Sequence, residues 1–163
     1  MRATRTRQLT GIPVAALCAI ALGVGTAAQA TDPIVGTWKL DVAKSTYKPG
    51  PTPKSATAVI TAVGEGIKVA VDAAMPDGTA MKWSYTSARD GKEAPVTGHP
   101  AYDAANVTKT SPTEGTIVYT KAGKTVATAK TAVAKDGKTM TVTTTGTDAK
   151  GQAINNMAVF TRS

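Results

Sequence analysis

Residues 66–87 read GIKVAVDAAMPDGTAMKWSYTS, with a turn signal, Pro76-Asp77-Gly78, in the middle. Apolar residues occupy every second position on both sides of this turn. A period of two places alternate side chains on one face of a β-strand, and an Asp-Gly pair supplies the positive φ that tight hairpin turns need. The stretch therefore predicts a β-hairpin with one apolar face. That face consists of Ile67, Val69 and Val71 before the turn and Met81, Trp83 and Tyr85 after it.

The same rhythm extends in both directions along the chain. Short turn signals separate segments rich in Val, Thr, Ile and aromatic residues, which suit a pleated surface. The pattern predicts an all-β fold, an antiparallel meander of about 8–10 strands. So many strands form either a closed barrel or a two-sheet sandwich, and closure favours the barrel because it removes exposed strand edges. The predicted strands are 35–41, 55–63, 66–74, 79–87, 92–97, 104–111, 115–121, 124–134, 138–146 and 152–162.

Three segments between these strands do not have the strand pattern. Residues 42–47 predict one helical turn after the first strand. Residues 48–54 read KPGPTPK, and their three prolines favour an extended connector. Residues 97–103 predict an irregular loop, and the Gly-His-Pro context of His99 places this histidine in a surface loop.

The first predicted strand begins with Gly36-Thr37-Trp38-Lys39-Leu40. This sequence resembles the G-x-W start of the calycin barrels, that is, the lipocalins and fatty-acid-binding proteins. The longer stretch GTWKLDVAKSTYKPGPTPKS, residues 36–55, resembles the start of small exported bacterial lipocalin-like proteins. The resemblance implies structural roles for Gly36, which lets the chain enter the barrel tightly, and for Trp38, which plugs its closed end. It also implies that Arg162 stacks over Trp38 in a cation–π contact.

The chain also departs from the fatty-acid-binding pattern. In that family an Arg-x-Tyr pair on the last strand typically holds the ligand carboxylate, whereas the matching place here is Ala158-Val159-Phe160. A helix–turn–helix lid is not expected either, because residues 42–54 are too few and too rich in proline.

The N-terminal residues predict a signal peptide. Arg2, Arg5 and Arg7 precede an apolar run at 12–25, and Ala28-Gln29-Ala30 is a small-x-small cleavage signal. We therefore expect a signal peptide at 1–30, a single lipocalin-like β-barrel domain at 31–163, and a periplasmic or secreted location. Cleavage would remove Cys18, the sole cysteine, and leave sixteen Lys and Arg against eleven acids, a net charge of +5.

The composition argues against several classes of function. The lysines fall mostly at strand ends and turns, so no basic stripe for nucleic acid is predicted. With one histidine and no cysteine after cleavage, the chain is not expected to bind a metal, and no motif indicates a cofactor. Nothing in the sequence places His99 beside an acid and a nucleophile. We therefore expect a monomer that is not an enzyme and has no membrane-spanning segment in the mature chain.

One face of the predicted barrel offers candidate ligand-binding residues. Aromatic side chains beside methionine would make an adaptable apolar wall, but the same residues could merely fill the core. Small residues such as Ala127 and Ala129 on one face, or Ala132 and Ala134 on the other, could leave a cavity. The sequence thus favours an exported, non-enzymatic binding protein for a small hydrophobic ligand. The alternatives are a structural or protein-interaction module of the cell envelope with a filled barrel, and a hydrolase or isomerase. The candidate wall consists of Met81, Trp83, Tyr85, Ile117 and Tyr119.

Overall fold

Ten antiparallel strands and one short 3-10 helix, η1, make up the described part of the chain. The structure is a computed structural model that describes residues 31–148 and 150–163. The predicted signal peptide and Cys18 lie outside the described residues. No helix within these residues has the length and apolarity needed to cross a membrane. The strands are β1 (Gly36–Leu40), β2 (Ser55–Val63), β3 (Gly66–Ala74), β4 (Ala80–Ser87), β5 (Asp90–Pro95), β6 (Ala104–Lys109), β7 (Glu114–Lys121), β8 (Lys124–Val133), β9 (Thr139–Thr147) and β10 (Ala153–Arg162), with η1 at Val42–Lys44.

The strands form one sheet that curls into a nearly closed barrel. Its order is β4-β3-β2-β1-β10-β9-β8-β7-β6-β5, so every strand pairs with its neighbours in sequence except β4 with β5, and the first strand pairs with the last. The two ends of the sheet meet where Ser84 and Thr97 exchange two backbone hydrogen bonds of 2.9 Å. We call this junction between β4 and the segment after β5 the seam. The predicted all-β meander is confirmed, and it forms a nearly closed barrel rather than a two-sheet sandwich.

The turn signals of the sequence lie at the ends of the hairpins. Asp77 accepts a hydrogen bond from the backbone N–H of Thr79 at 2.9 Å, and Asp136 accepts one from Lys138 at 2.8 Å. Gly78 and Gly137 follow these acids with φ of +88° and +66°. Because turn chemistry of this kind is local, most predicted strand limits agree with the structure to within about one residue.

β5 departs furthest from its predicted limits, 92–97. It covers Asp90–Pro95 and has a register shift between Asp90 and Glu93. Pro95 has no backbone N–H, so on the side away from β6 it cannot donate the hydrogen bond that would continue the ladder. Thr97 therefore contributes only the isolated bridge to Ser84.

Alternate side chains of each strand point into the barrel. Ala127 and Ala129 of β8 are buried, whereas Ala132 and Ala134 are exposed, which settles which alanines face inward. At Gly146 of β9, a Cβ would overlap the backbone of Val126 and Ala127, so glycine permits β8 and β9 to lie close together.

The segment Thr31–Val35 closes one end of the barrel, which we call the floor. Asp32 bonds Arg89, between β4 and β5, and Lys109 at the end of β6. In the sheet order these strands lie half-way round the barrel from β1 and β10. The segment therefore crosses the full width of the barrel before the chain enters β1.

Trp38 and Arg162 hold the near side of the floor. Trp38 is fully buried, and its indole N–H donates to the carbonyl of Ile34 at 2.8 Å. The guanidinium carbon of Arg162 lies 4.3 Å from the centroid of the Trp38 ring, and Arg162 also donates to the carbonyls of Pro33 and Val35. At Gly36, where φ is +148°, a Cβ would overlap this guanidinium, so a larger residue would have to displace the end of the Arg162 side chain.

Candidate functional site

The barrel encloses an apolar cavity of about 310 Å³. It extends from Ile34 and Arg89 at the floor to Pro51, Pro53 and His99 near the opposite end of the barrel. The connector with three prolines, 48–54, thus contributes to the lining at that far end. Most of the remaining lining consists of aliphatic and aromatic side chains from the inward faces of the strands.

All five residues of the predicted apolar wall line this cavity. Three of them alternate along β4, and the other two alternate in the same way along β7. Tyr85, Ile117 and Tyr119 are buried, and Met81 and Trp83 are partly buried. The structure brings them together because only β5 and β6 separate β4 from β7 across the seam, and the rings of Trp83 and Tyr119 lie 6.2 Å apart between centroids. The residues are Met81, Trp83, Tyr85, Ile117 and Tyr119.

Five rings form one aromatic cluster beside the cavity: Trp83, Tyr85, His99, Tyr102 and Tyr119. His99 stacks on Tyr102 with 4.0 Å between ring centroids, and Tyr102 stacks on Tyr119 at 4.4 Å. The Trp83 ring meets His99 and Tyr119 edge-on at 5.5 and 6.2 Å and lies nearly parallel to Tyr85 at 5.9 Å. The centroid separations of Trp83 are in the range of roughly 4.5–7 Å that aromatic pairs prefer, and the two stacked pairs of Tyr102 are closer still, so the cluster is a preformed wall.

His99 lies where the sequence predicted a loop, but its side chain is not on the surface. It is half-buried, lines the cavity, and accepts a hydrogen bond at Nδ1 from the backbone N–H of Ala101 at 3.2 Å. Burial, with a smaller contribution from nearby Lys121, lowers the pKa of His99 to about 4. Sequence reasoning missed this position because it did not consider Tyr102, three residues later, which stacks on the imidazole.

The phenol groups of the cluster are neutral. Burial raises the pKa of Tyr85, Tyr102 and Tyr119, and the neighbouring phenols raise that of Tyr119 further. With neutral His99, this wall carries no charge at neutral pH. It therefore suits an apolar surface rather than an ion.

Arg89 is a second cavity residue that sequence reasoning missed. The turn signal Arg89-Asp90-Gly91-Lys92 lies between the predicted strands 79–87 and 92–97, and Arg89 occupies a turn conformation with φ of +59°. Its side chain is only 11% exposed, lines the cavity at the floor, and donates to Asp32 at 2.5 Å. The partner lies 57 residues away in the sequence, so no local pattern could have predicted the contact.

At the floor, Asp32 contacts two cations, Arg89 and Lys109. Burial alone would raise the pKa of Asp32, but hydrogen bonds from Arg89 and Lys109 and from the backbone outweigh it and lower this pKa to about 2. Asp32 is therefore ionised at neutral pH. Together with Arg89 and Lys109, it forms a group of three charges with one positive charge in excess.

Few other polar groups reach the cavity. Thr131, Thr144 and Asn156 line it, and Ala158 and Phe160 occupy the place where fatty-acid-binding proteins would have their Arg-x-Tyr pair. Within residues 31–148 and 150–163, no group of three or more His, Cys, Asp or Glu lies close enough to hold a metal ion. The lining is suited to an apolar molecule, and among the described residues that line the cavity no acid is paired with a base.

Comparisons with known proteins concern the fold. No family model matches the chain, and no curated protein matches it. The crystal structure of Rv2717c from M. tuberculosis has 15% identity and a TM-score of 0.50, covering 80% of this chain and 93% of that one. The zebrafish ileal bile acid-binding protein, solved with cholic acid, has 13% identity and a TM-score of 0.49, covering 80% and 99%. The siderocalin Ex-FABP, described as having dual ligand specificities, has 15% identity and a TM-score of 0.38, covering 80% and 74%.

Proposed function

We propose that the protein is an exported, non-enzymatic binding protein that carries or senses a small hydrophobic ligand inside its barrel. The observation that supports this proposal is the cavity of about 310 Å³ with its apolar and aromatic lining. Ligand pockets are typically concave, mostly apolar and roughly 300–1,000 Å³ in volume, with a few polar groups that fix orientation. This cavity has those properties at the lower end of the size range, so its ligand is small.

The cavity argues for a binding protein over a structural barrel with a filled interior. Unfilled apolar space weakens a fold by about 24 cal/mol per Å³, and an apolar cavity gives water few partners. A barrel selected for rigidity alone gains stability when larger side chains fill that space. Here Ala56, Ala58 and Ala73 line it instead. The presence of small side chains in the lining therefore supports the proposal that a ligand occupies the space.

We propose export from the features of residues 1–30. Three arginines, an apolar run too short to span a bilayer and the Ala28-Gln29-Ala30 site support cleavage before Thr31. The domain would then act in the periplasm or outside the cell. Mass spectrometry of the protein recovered from the periplasm or medium would show whether its first residue is Thr31.

A matched pair of substitutions tests ligand binding. Ala73→Phe places a ring in the cavity, whereas Ala132→Phe places the same ring on the exposed face of β8. We expect the purified wild-type domain to bind an environment-sensitive apolar dye saturably, Ala132→Phe to bind it equally well, and Ala73→Phe to bind it at least several-fold more weakly. Circular dichroism would verify that both variants keep their β structure.

Two results would overturn the proposal. One is the lack of saturable binding across a series of apolar dyes and lipids by the wild-type domain. The other is equal dye affinity in a folded Ala73→Phe variant, which would place the dye outside the barrel.

A further inference from the structure

Two phenol groups deep in the barrel have hydroxyls without a protein partner. Tyr85 and Tyr119 are only 5% and 6% exposed, and both line the cavity. Within the described residues, neither hydroxyl donates or accepts a hydrogen bond, and burial is the main influence on the pKa of each group. Buried polar groups are almost always paired, so two exceptions on one wall call for an explanation.

Both hydroxyls meet open space rather than packed protein. Among the described residues, the fully occluded side-chain polar atoms that lack a partner are Nε of Arg89 and Oγ1 of Thr120. The phenol oxygens of Tyr85 and Tyr119 also lack a partner but are not occluded in this way, so they are in contact with open space. Because both side chains point inward from β4 and β7 and line the cavity, that space is the cavity.

The two hydroxyls form one polar spot on an otherwise apolar wall. The phenols of Tyr85 and Tyr102 lie close enough to Tyr119 to raise its pKa beyond the effect of burial. A phenol O–H can donate one hydrogen bond and accept another. The group that suits this spot is an uncharged hydroxyl or carbonyl, because a charged group would lose its water without gaining a charged partner in the cluster.

The rings around this spot favour a flat ligand. His99, Tyr102 and Tyr119 are stacked almost parallel, with interplanar angles of 6° and 12°. Trp83 lies nearly perpendicular to both ends of this stack, at 88° to His99 and 83° to Tyr119. Aromatic rings pack against one another face to face with an offset or edge to face, and this wall contains both arrangements. A saturated ring or chain has neither a π face nor a polarised edge to use here.

From these observations we infer that the cavity takes a planar aromatic ligand with an uncharged hydroxyl or carbonyl group, which hydrogen-bonds Tyr85 and Tyr119 while its ring packs against Trp83. This inference rests on the proposed function and names the ligand class of the same site. An aliphatic chain would fill the same space but leave both hydroxyls unpaired.

Three ligands built on one bicyclic ring skeleton test the assignment. 2-Naphthol is flat and carries a hydroxyl, 2-decalol is its saturated counterpart, and 2-methylnaphthalene keeps the flat rings without a hydrogen-bonding group. Isothermal titration calorimetry on the purified protein measures each affinity. We expect 2-naphthol to bind about threefold to tenfold more tightly than 2-decalol, the range for an aromatic pair.

Replacing the phenols separates hydrogen bonding from packing. The double variant Tyr85→Phe/Tyr119→Phe keeps both rings and loses only the two hydroxyls. We expect it to bind 2-naphthol about tenfold more weakly than the wild type, because the ligand hydroxyl is then buried without a partner. Its affinity for 2-methylnaphthalene should change less than about twofold. Circular dichroism would verify that the variant keeps its β structure.

Thr143→Val is the control for the loss of a hydroxyl. Thr143 is exposed on β9 and does not line the cavity, so both affinities should stay unchanged. Equal weakening of 2-naphthol binding in Thr143→Val and in the double variant would overturn the inference, because the effect would then not come from the cavity.

The other outcomes separate this inference from the function on which it rests. The ligand class is wrong, and the apolar binding site stands, if 2-decalol binds as tightly as 2-naphthol or if the folded double variant keeps its affinity for 2-naphthol. The same holds if the double variant weakens 2-naphthol and 2-methylnaphthalene equally, if 2-naphthoate binds more tightly than 2-naphthol, or if an apolar dye binds and none of these ligands does. If the wild type binds none of these ligands and no apolar dye, both proposals are wrong.

Discussion

His99 is a single side chain whose charge state is tied to its packing. It is stacked on Tyr102 at 4.0 Å and is held neutral because burial and Lys121 lower its pKa to about 4. The same histidine in an unfolded chain has a pKa of about 6.5. Between these values the unfolded chain binds more protons than the folded one, so acidification destabilises the fold.

The corresponding prediction concerns the pH dependence of thermal stability. As the pH falls from about 6.5 to 4, the melting temperature of the wild type should fall more steeply than that of His99→Gln, which has no imidazole to protonate. Thermal unfolding by circular dichroism at half-unit pH intervals gives both slopes. Parallel curves would show that His99 does not stay neutral in the folded protein.

For single residues, the sequence predicts well where a side chain points when this follows from strand alternation. It predicts poorly where a side chain points when this depends on a partner far away in the sequence. Trp83, Tyr85 and Tyr119 were assigned to one inward face because a strand alternates its side chains, and all three line the cavity. Arg89 was assigned to a turn and nothing more. Its cavity role depends on Asp32, 57 residues away, and no periodicity encodes that contact.

Among the elements, the seam depends on one glycine. Gly98 has φ of +88°, and a Cβ there would overlap the carbonyl of Lys82 on β4. Ser84 and Thr97 form their paired hydrogen bonds directly beside it. The close approach of the two ends of the sheet therefore requires a residue without a side chain.

A pair of glycine substitutions separates this steric contact from backbone strain. Gly78 has the same φ, +88°, but no atom lies within 4 Å of a Cβ built there. Both Gly→Ala changes incur the cost of a positive φ, roughly 1 kcal/mol, and only Gly98→Ala forces the seam apart. We expect Gly98→Ala to lower the unfolding free energy by about 1–3 kcal/mol more than Gly78→Ala in urea titrations. Equal losses would mean that the seam adjusts without cost.

The strand limits were predictable because turns and alternation are local, and the seam was not. Whether the sheet closes into a barrel depends on how its two edges meet in space, here at β4 and Thr97. The sequence accordingly left barrel and sandwich open, with closure favoured only by the general avoidance of exposed edges.

On the scale of the whole molecule, the floor ties opposite sides of the barrel together through Asp32. Its pKa is lowered to about 2 by Arg89 and Lys109 despite partial burial. A carboxylate with a lowered pKa adds stability above its unfolded pKa of about 3.8–3.9, and this contribution is lost as the pH falls toward 2. The contacts of Asp32 should therefore contribute their full stabilisation to the floor at neutral pH.

Asp32→Asn tests this contribution. We expect a clear drop in melting temperature at pH 7, and a difference from wild type that shrinks as the pH approaches 2. Asp72→Asn is the control, because Asp72 pairs with Lys82 on the exposed surface, where such pairs contribute about 0–1 kcal/mol. The expectation fails if both variants lose the same stability at pH 7.

The cavity is also a property of the whole molecule, and the sequence left it undecided. The candidate wall could have filled the core, because whether space remains depends on the summed volumes of side chains from every strand. Ala56, Ala58 and Ala73 line the space together with large aromatic residues. Their small size leaves the volume that no single strand pattern could predict.

The pairing of β1 with β10 determines how the barrel is assembled over time. Trp38 lies opposite Arg162, and Arg162 donates to Val35, 127 residues away in the sequence. Contacts this distant form only after the chain loses the entropy of a very long loop, and β-rich domains dominated by them fold on the order of milliseconds to seconds. Until that step, β1 and β10 are unpaired edges. The pairing of β1 with β10 therefore also ends the period in which the chain can aggregate through the open edges of these two strands.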